Sequence, residues 1–120
     1  MKIYISHSSA YDYIKNIYSP IKESGLFREH EFFLPHEQDN AYLKTDEIMG
    51  GFDALVAETS LPSTGQGIEL GWASTHKLPI LCLNKEGSAV SSSLKYVCTE
   101  TKTYKTSQEL IAAIDSFIDK

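Results

Sequence analysis

The stretch "DALVAETSLPSTGQGIELGWA", Asp53 to Ala73, is the most informative part of this chain of 120 residues. "ALVA" is an uninterrupted apolar run without polar alternation, as expected of a strand buried on both faces. "SLPSTG" carries the serine, proline and glycine of a turn, and "GIELGWASTHK" reads as a helix opened by Gly65 and Gly67. A strand that passes directly into a helix is the building unit of a parallel sheet. One carboxylate, Glu69, is expected in the first turn of that helix. Either it complements the positive end of the helix dipole, or it acts on something bound above the strand ends.

Outward from this unit the same alternation recurs. "KIYIS" (Lys2 to Ser6) is a strand, and "AYDYIKNIYSPIKESGLF" is a helix with Ile14, Ile17, Tyr18 and Ile21 on one stripe. Pro20 predicts a kink or early break in it. Gly25 is its expected C-cap, with Leu26 packing back. "HEFFLPHE" supplies a second strand, Glu31 to Leu34, and "NAYLKTDEIMGGF" a weaker helix ended by Gly50 and Gly51. "LPILCLN" is a fourth strand, "SAVSSSLKY" a turn or short helix, and "YVCTE", with or without "TKTY", a fifth strand. "TSQELIAAIDSFIDK" closes the chain as a helix with the Thr106–Glu109 capping-box pattern.

These elements predict one domain over 1–120: a small doubly wound α/β fold, flavodoxin- or Rossmann-like. It has a roughly five-stranded parallel sheet with helices on both faces. A ligand in such a fold sits beyond the carboxyl ends of the strands. Here those ends are Ser6 to Ser9, Pro35 to Glu37, Glu58 to Gly65 and Asn84 to Ser88.

The net charge is −5 and the 11 basic residues are dispersed, so polymeric nucleic acid is not an expected partner. A small anion remains open, because backbone amides and hydroxyls hold one without lysine or arginine. The two cysteines, Cys82 and Cys98, show no Cys-x-x-Cys spacing. Cys82, inside an apolar run, reads as a buried thiol, and a reducing cytoplasm is the expected location. No leader is visible at the N-terminus, and no run approaches the roughly 20 apolar residues that cross a bilayer.

Several catalytic signatures fail. Gly65, Gly67 and Gly71 miss the dinucleotide spacing by one residue, and no phosphate-loop lysine follows. His36-Glu37 begins like a zinc-protease motif, but position 40 is asparagine. Neither a serine-hydrolase elbow nor a deaminase cysteine pair is present. No metal and no organic cofactor is expected. What remains is Glu69, which free amides of a helix start would keep ionised. Such a carboxylate is suited to attack, or to stabilise, an oxocarbenium-like sugar carbon.

The run from Asp53 to Ser93 resembles the nucleoside 2-deoxyribosyltransferase superfamily, and within it is most similar to the 2′-deoxynucleoside 5′-phosphate N-hydrolases. "PSTGQGIELGWA" carries the resemblance, and "KIYISHSS" and "FFLPHE" add a weaker match. It implies that Glu69 attacks C1′ of a nucleoside and that Tyr4 positions the attacking group. It further implies that Ser63, six residues before the glutamate, Ser93, 24 after it, and Ser8 bind a 5′-phosphate, beside Gly65 and Gly67. His36 falls near the base pocket. The family's acidic partner aligns at Thr45, which shifts that role to the adjacent Asp46. Ala10 stands where the family has arginine, which implies either a weaker hold on phosphate or replacement of that contact by a group such as His7 or by a neighbouring subunit.

The activity implied is hydrolysis of the base–sugar bond of a nucleotide through a glutamyl intermediate, in a homodimer or larger homo-oligomer. A transferase that passes the sugar to another base differs only in what resolves the intermediate. "YISHSSAYDY" also resembles the opening of TIR-like NAD-cleaving or signalling domains, and an inactive nucleotide-binding domain is a further alternative.

Overall fold

The computed structural model describes residues 1–37 and 45–119. Five parallel strands form one sheet: β1 (Lys2–His7), β2 (Glu31–Phe33), β3 (Ala54–Glu58), β4 (Ile80–Lys85) and β5 (Glu100–Tyr104), in the order β2-β1-β3-β4-β5. This doubly wound order bears out the α/β expectation. Between the strands run α1 (Ser19–Glu23), α2 (Leu26–Glu29), α3 (Thr45–Ile48) and α4 (Thr64–Thr75), with α5 (Ser107–Ile118) closing the chain.

Strand alternation divides the core in two. Ile3, Ile5, Ala54, Val56, Leu81 and Leu83 face α1 and α5, against Ile17, Tyr18, Ile21, Leu110 and Ile114. Tyr4, Leu55, Ala57, Ile80 and Cys82 face the other way, against Met49, Phe52, Leu70 and Ala73. Each fully buried Leu or Ile contributes roughly 1.5–3 kcal/mol. Asp53 links the strand starts, its carboxylate accepting from the Lys2 amide at 2.7 Å. Thr106 and Glu109 form the expected capping box of α5.

The first helix departs from its expected course. Pro20 has no N–H for the carbonyl four residues earlier, and the chain takes a wider π turn over Ile14–Tyr18 before α1. The extra residue in that turn rotates Ile14 off the buried stripe, leaving it 61% exposed. Gly25 is not a left-handed cap: it is right-handed at φ −64° and precedes α2. Ser24 ends α1 instead, its hydroxyl donating to the Ile21 carbonyl at 2.7 Å. Leu26 is buried as expected. Of the weaker helix expected over "NAYLKTDEIMGGF", the first residues, Tyr42 among them, lie outside the described residues.

Cys82 is not a thiol. It is disulfide-bonded to Cys98, because a short 3₁₀ helix, Ser92–Tyr96, brings the chain back over the α4 face of β4. The thiol-based expectation of a reducing compartment therefore loses its premise. Among the described residues no helix is long and apolar enough to cross a membrane.

The bond closes a loop of sequence separation 16. A loop of that size restricts the unfolded chain by about 3 kcal/mol. Reduction, or Cys98→Ser, should lower Tm by on the order of 10 °C. An unchanged transition after thiol titration has confirmed two free sulfhydryls would contradict this account.

Candidate functional site

Tyr4 and Ser6 lie two residues apart on β1 and so point to the same face, toward α4. The Tyr4 ring is fully buried, stacked on Phe33 at 5.2 Å and edge-on to Phe52 at 5.3 Å. Its hydroxyl donates to Glu69 Oε2 at 2.5 Å, and the Ser6 hydroxyl donates to Oε1 at 2.8 Å. Both carboxylate oxygens are thus held, and each retains further acceptor capacity.

Glu69 itself sits differently from the expectation. Ser63 caps α4, its side chain accepting from the Gln66 amide at 3.4 Å, and helical residues begin at Thr64. Glu69 therefore lies in the second turn, beyond the four free amides of the helix start. The expected dipole pairing gives way to side-chain donors from β1. Burial raises its pKa above the usual carboxylate range, while the Tyr4 and Ser6 hydrogen bonds and the nearby His36 pull it partly back.

Two of the expected phosphate-binding serines meet. Ser63 and Ser93 line one cavity of about 340 Å³, together with Thr64, Gly67 and Ser91. A Cβ at Gly67 would meet nothing within 4 Å, and one at Gly65 only the Ser63 hydroxyl at 4.0 Å, so both glycines leave the helix start open. Ser8 does not join that wall: it is buried, and its hydroxyl accepts from the Ala10 amide at 3.1 Å. Asp46 is exposed in the first turn of α3 and takes no part in the Glu69 hydrogen bonds. His36 is exposed, its ring 4.9 Å from that of His7 and 5.2 Å from that of Tyr13.

His7 cannot replace the missing arginine. It is 5% exposed, burial lowers its pKa, and both ring nitrogens are engaged, by the Ser8 carbonyl and the Tyr18 hydroxyl. A neutral imidazole with no free donor offers nothing to a phosphate.

Sequence reasoning overlooked Ser6 and Glu58. The signal for Ser6 was available: it shares the face of Tyr4 by simple alternation. Glu58 ends β3 on the opposite face and is 3% exposed. It accepts from the Ser60 amide at 2.6 Å, the Ser60 hydroxyl at 2.8 Å and the Tyr104 hydroxyl. Burial raises its pKa as well. A charged residue closing an apolar strand was the available hint.

A larger cavity, about 630 Å³, lies between the α1–α2 segment and α5, with Glu23, Glu29 and Asp115 in its walls. Those carboxylates oppose an anion, and the cavity holds none of the residues above. Among the described residues no cluster of three or more histidine, cysteine or acidic groups could hold a metal.

No protein-family model matches the chain. It is 39% identical over 84 residues to a Methanosarcina mazei protein named "Putative 2'-deoxynucleoside 5'-phosphate N-hydrolase 1", covering 68% of this chain and 52% of the relative. The chain thus spans about half the length of that curated relative. Among solved structures, Clostridium botulinum CMP N-glycosidase BcmB superposes with a TM-score of 0.70 at 21% identity, over 96% of this chain and 99% of that one. A flavodoxin-like domain from Synechococcus gives 0.55 at 15% identity, over 98% and 94%. The relative bears out the resemblance stated for the sequence, and the two structures bear out the fold.

A raised folded-state pKa has a definite sign in stability. Glu69 favours the fold fully below the unfolded carboxylate range, about 4.3, and that contribution is lost as pH rises through its own higher value. Glu69→Gln should therefore melt above the wild type at pH 8, with the gap closing toward about pH 4. A variant less stable than wild type at pH 8 would show that the Tyr4 and Ser6 hydrogen bonds outweigh burial.

Proposed function

We propose that this chain is an N-glycosidase that hydrolyses the base–sugar bond of a nucleoside or deoxynucleoside 5′-monophosphate, with Glu69 as nucleophile. The observation that carries this is a half-buried carboxylate held through both oxygens by β1 hydroxyls, on the helix whose N-cap lines a serine-rich cavity. The curated relative's name and that of BcmB support the same reaction class.

Burial and hydrogen bonding act in opposite directions on such a nucleophile. Desolvation makes the carboxylate more basic and readier to share its electron pair, while the two donors hold it in line and favour its ionised form. In the first step one Glu69 oxygen bonds to C1′ as the C1′–N bond breaks. The departing base takes that electron pair and a proton, for which His36 or Asp46 is the proposed donor. In the second step water attacks C1′, the ester bond to Glu69 breaks, and the water proton returns to the donor. The anomeric configuration is retained.

Ser63 and Ser93 are proposed to hold the 5′-phosphate at the open start of α4, helped by its free amides and by the room left at Gly65 and Gly67. Six residues separate Ser63 from Glu69, about 9 Å of helical rise. A pentose 5-phosphate bridges that span with a hydrogen-bond length at its phosphate end. Ser8 is proposed as a donor from the loop after β1, since its hydroxyl accepts from Ala10 and its own proton remains to give. With His7 neutral, the charge missing at Ala10 is assigned to a neighbouring copy in a homo-oligomer.

Base release from nucleosides and 5′-monophosphates, followed by chromatography, tests this directly. Wild type should release base faster from the monophosphates, and Glu69→Gln should release none. Ser63→Ala should raise KM for monophosphates roughly 10-fold while leaving nucleosides unaffected. Equal release by Glu69→Gln would remove the nucleophile, and faster cleavage of nucleosides would remove the phosphate site.

The acid limb of kcat/KM should lie above the ordinary glutamate pKa of about 4.3, because the reacting form is ionised. Tyr4→Phe removes a bond that favours that form, so the limb should move to higher pH. A limb that stays in place would detach Tyr4 from the titration of Glu69.

A further inference from the structure

We infer, on the premise that the Glu69 crevice is where the glycosidic bond is cleaved, that His7 is a positioning residue. As the Nδ1–H tautomer it fixes the Tyr18 hydroxyl, and Tyr18 fixes the turn that carries His36, one of the two proposed proton donors.

The direction of every bond in this chain follows from chemistry. His7 ends β1 on the face opposite Ser6, and its Nδ1 lies 3.0 Å from the Ser8 carbonyl oxygen. A carbonyl only accepts, so Nδ1 carries a proton. Burial, with the charge of His36 adding to it, disfavours a second proton on the ring. Nε2 is then a bare acceptor, and the Tyr18 hydroxyl, 2.7 Å away, must donate to it. That commits the Tyr18 oxygen to accepting, which it does from the His36 amide at 3.1 Å.

Packing reinforces the bonds. The His7 ring stacks on Tyr13 at 4.3 Å, meets Tyr18 edge-on at 5.2 Å and leaves His36 at 4.9 Å. Burial holds the Tyr18 hydroxyl protonated at all ordinary pH, so it stays a donor. Glu69 in turn feels the charge of His36, which lowers its pKa. Three elements that are remote in sequence, the end of β1, the π turn and the turn after β2, are thereby locked to one another. The lock is directional: an Nε2–H imidazole would offer Tyr18 a donor where it needs an acceptor.

Ring-nitrogen NMR of the wild type should show His7 with Nδ1 protonated and Nε2 bare. Tyr18→Phe keeps the ring and loses only the hydroxyl. It should lower kcat for base release from monophosphates about 10-fold with little change in KM. His7→Phe should do the same, and the double variant should be no slower than either single one, because both break one chain. Independently of any turnover, His36 amide exchange should accelerate in His7→Phe, although His7 does not touch that amide. An Nε2–H tautomer, unchanged His36 exchange, or losses that add in the double variant would each overturn the inference. Should the wild type release no base at all, the premise about the crevice fails, and the tautomer and exchange measurements still decide the His7–Tyr18–His36 chain.

Discussion

Two hydroxyls from one strand hold one carboxylate from a helix, and the candidate site is built on that contact. Glu69 is half-buried, which by itself disfavours its charge. Tyr4 and Ser6 offset that cost at both oxygens. The Tyr4 ring cannot drift, because Phe33 from β2 and Phe52 before β3 clamp it. Sheet register therefore reaches the carboxylate directly: β1 pairs Tyr4 with Phe33 on one side and with Leu55 on the other. A slip of one residue would turn both hydroxyls to the wrong face.

The opposite face uses a second buried carboxylate for a different end. Glu58 gathers the turn after β3 through Ser60 and the end of β5 through Tyr104. Tyr104 continues to Tyr11 at 2.7 Å, and the Ser60 hydroxyl also accepts from the Lys85 amide at 2.7 Å. The loops at the carboxyl ends of β1, β3, β4 and β5 are thus tied to one group beneath the crevice. Glu58 is 3% exposed, whereas Glu69 is only half-buried. Burial and partners, not residue type, set the two carboxylates apart.

The helical start of α4 shows where local inference from sequence loses accuracy. Gly65 and Gly67 suggested that the helix begins among them, which would put Glu69 on free amides. Ser63 takes the cap instead, and Glu69 moves one turn onward. The shift exchanges a backbone partner for side-chain partners on β1, a contact across 65 and 63 positions of sequence that no local pattern encodes. Cys82 and His7 follow the same logic. Cys82 was placed inside the fold correctly, but its partner depended on where the Ser92–Tyr96 turn returned. His7 lies in sequence beside the expected anion site, but burial and its bonds to Ser8 and Tyr18 withhold it from a ligand.

Apolar periodicity, turn residues and the Thr106–Glu109 cap were enough to read five strands interleaved with helices, although β5 falls on Glu100–Tyr104 and Tyr96 of the expected "YVCTE" strand belongs to the 3₁₀ turn. These are short-range properties: each depends on residues within a few positions, where backbone geometry dictates which side chains share a face. The strand order, the Cys82–Cys98 bond, the donors to Glu69 and the directed chain from His7 to His36 were decided only in three dimensions. Each joins groups far apart in sequence, and a hydrogen bond or disulfide depends on distances and angles that only the closed sheet and its packed helices fix.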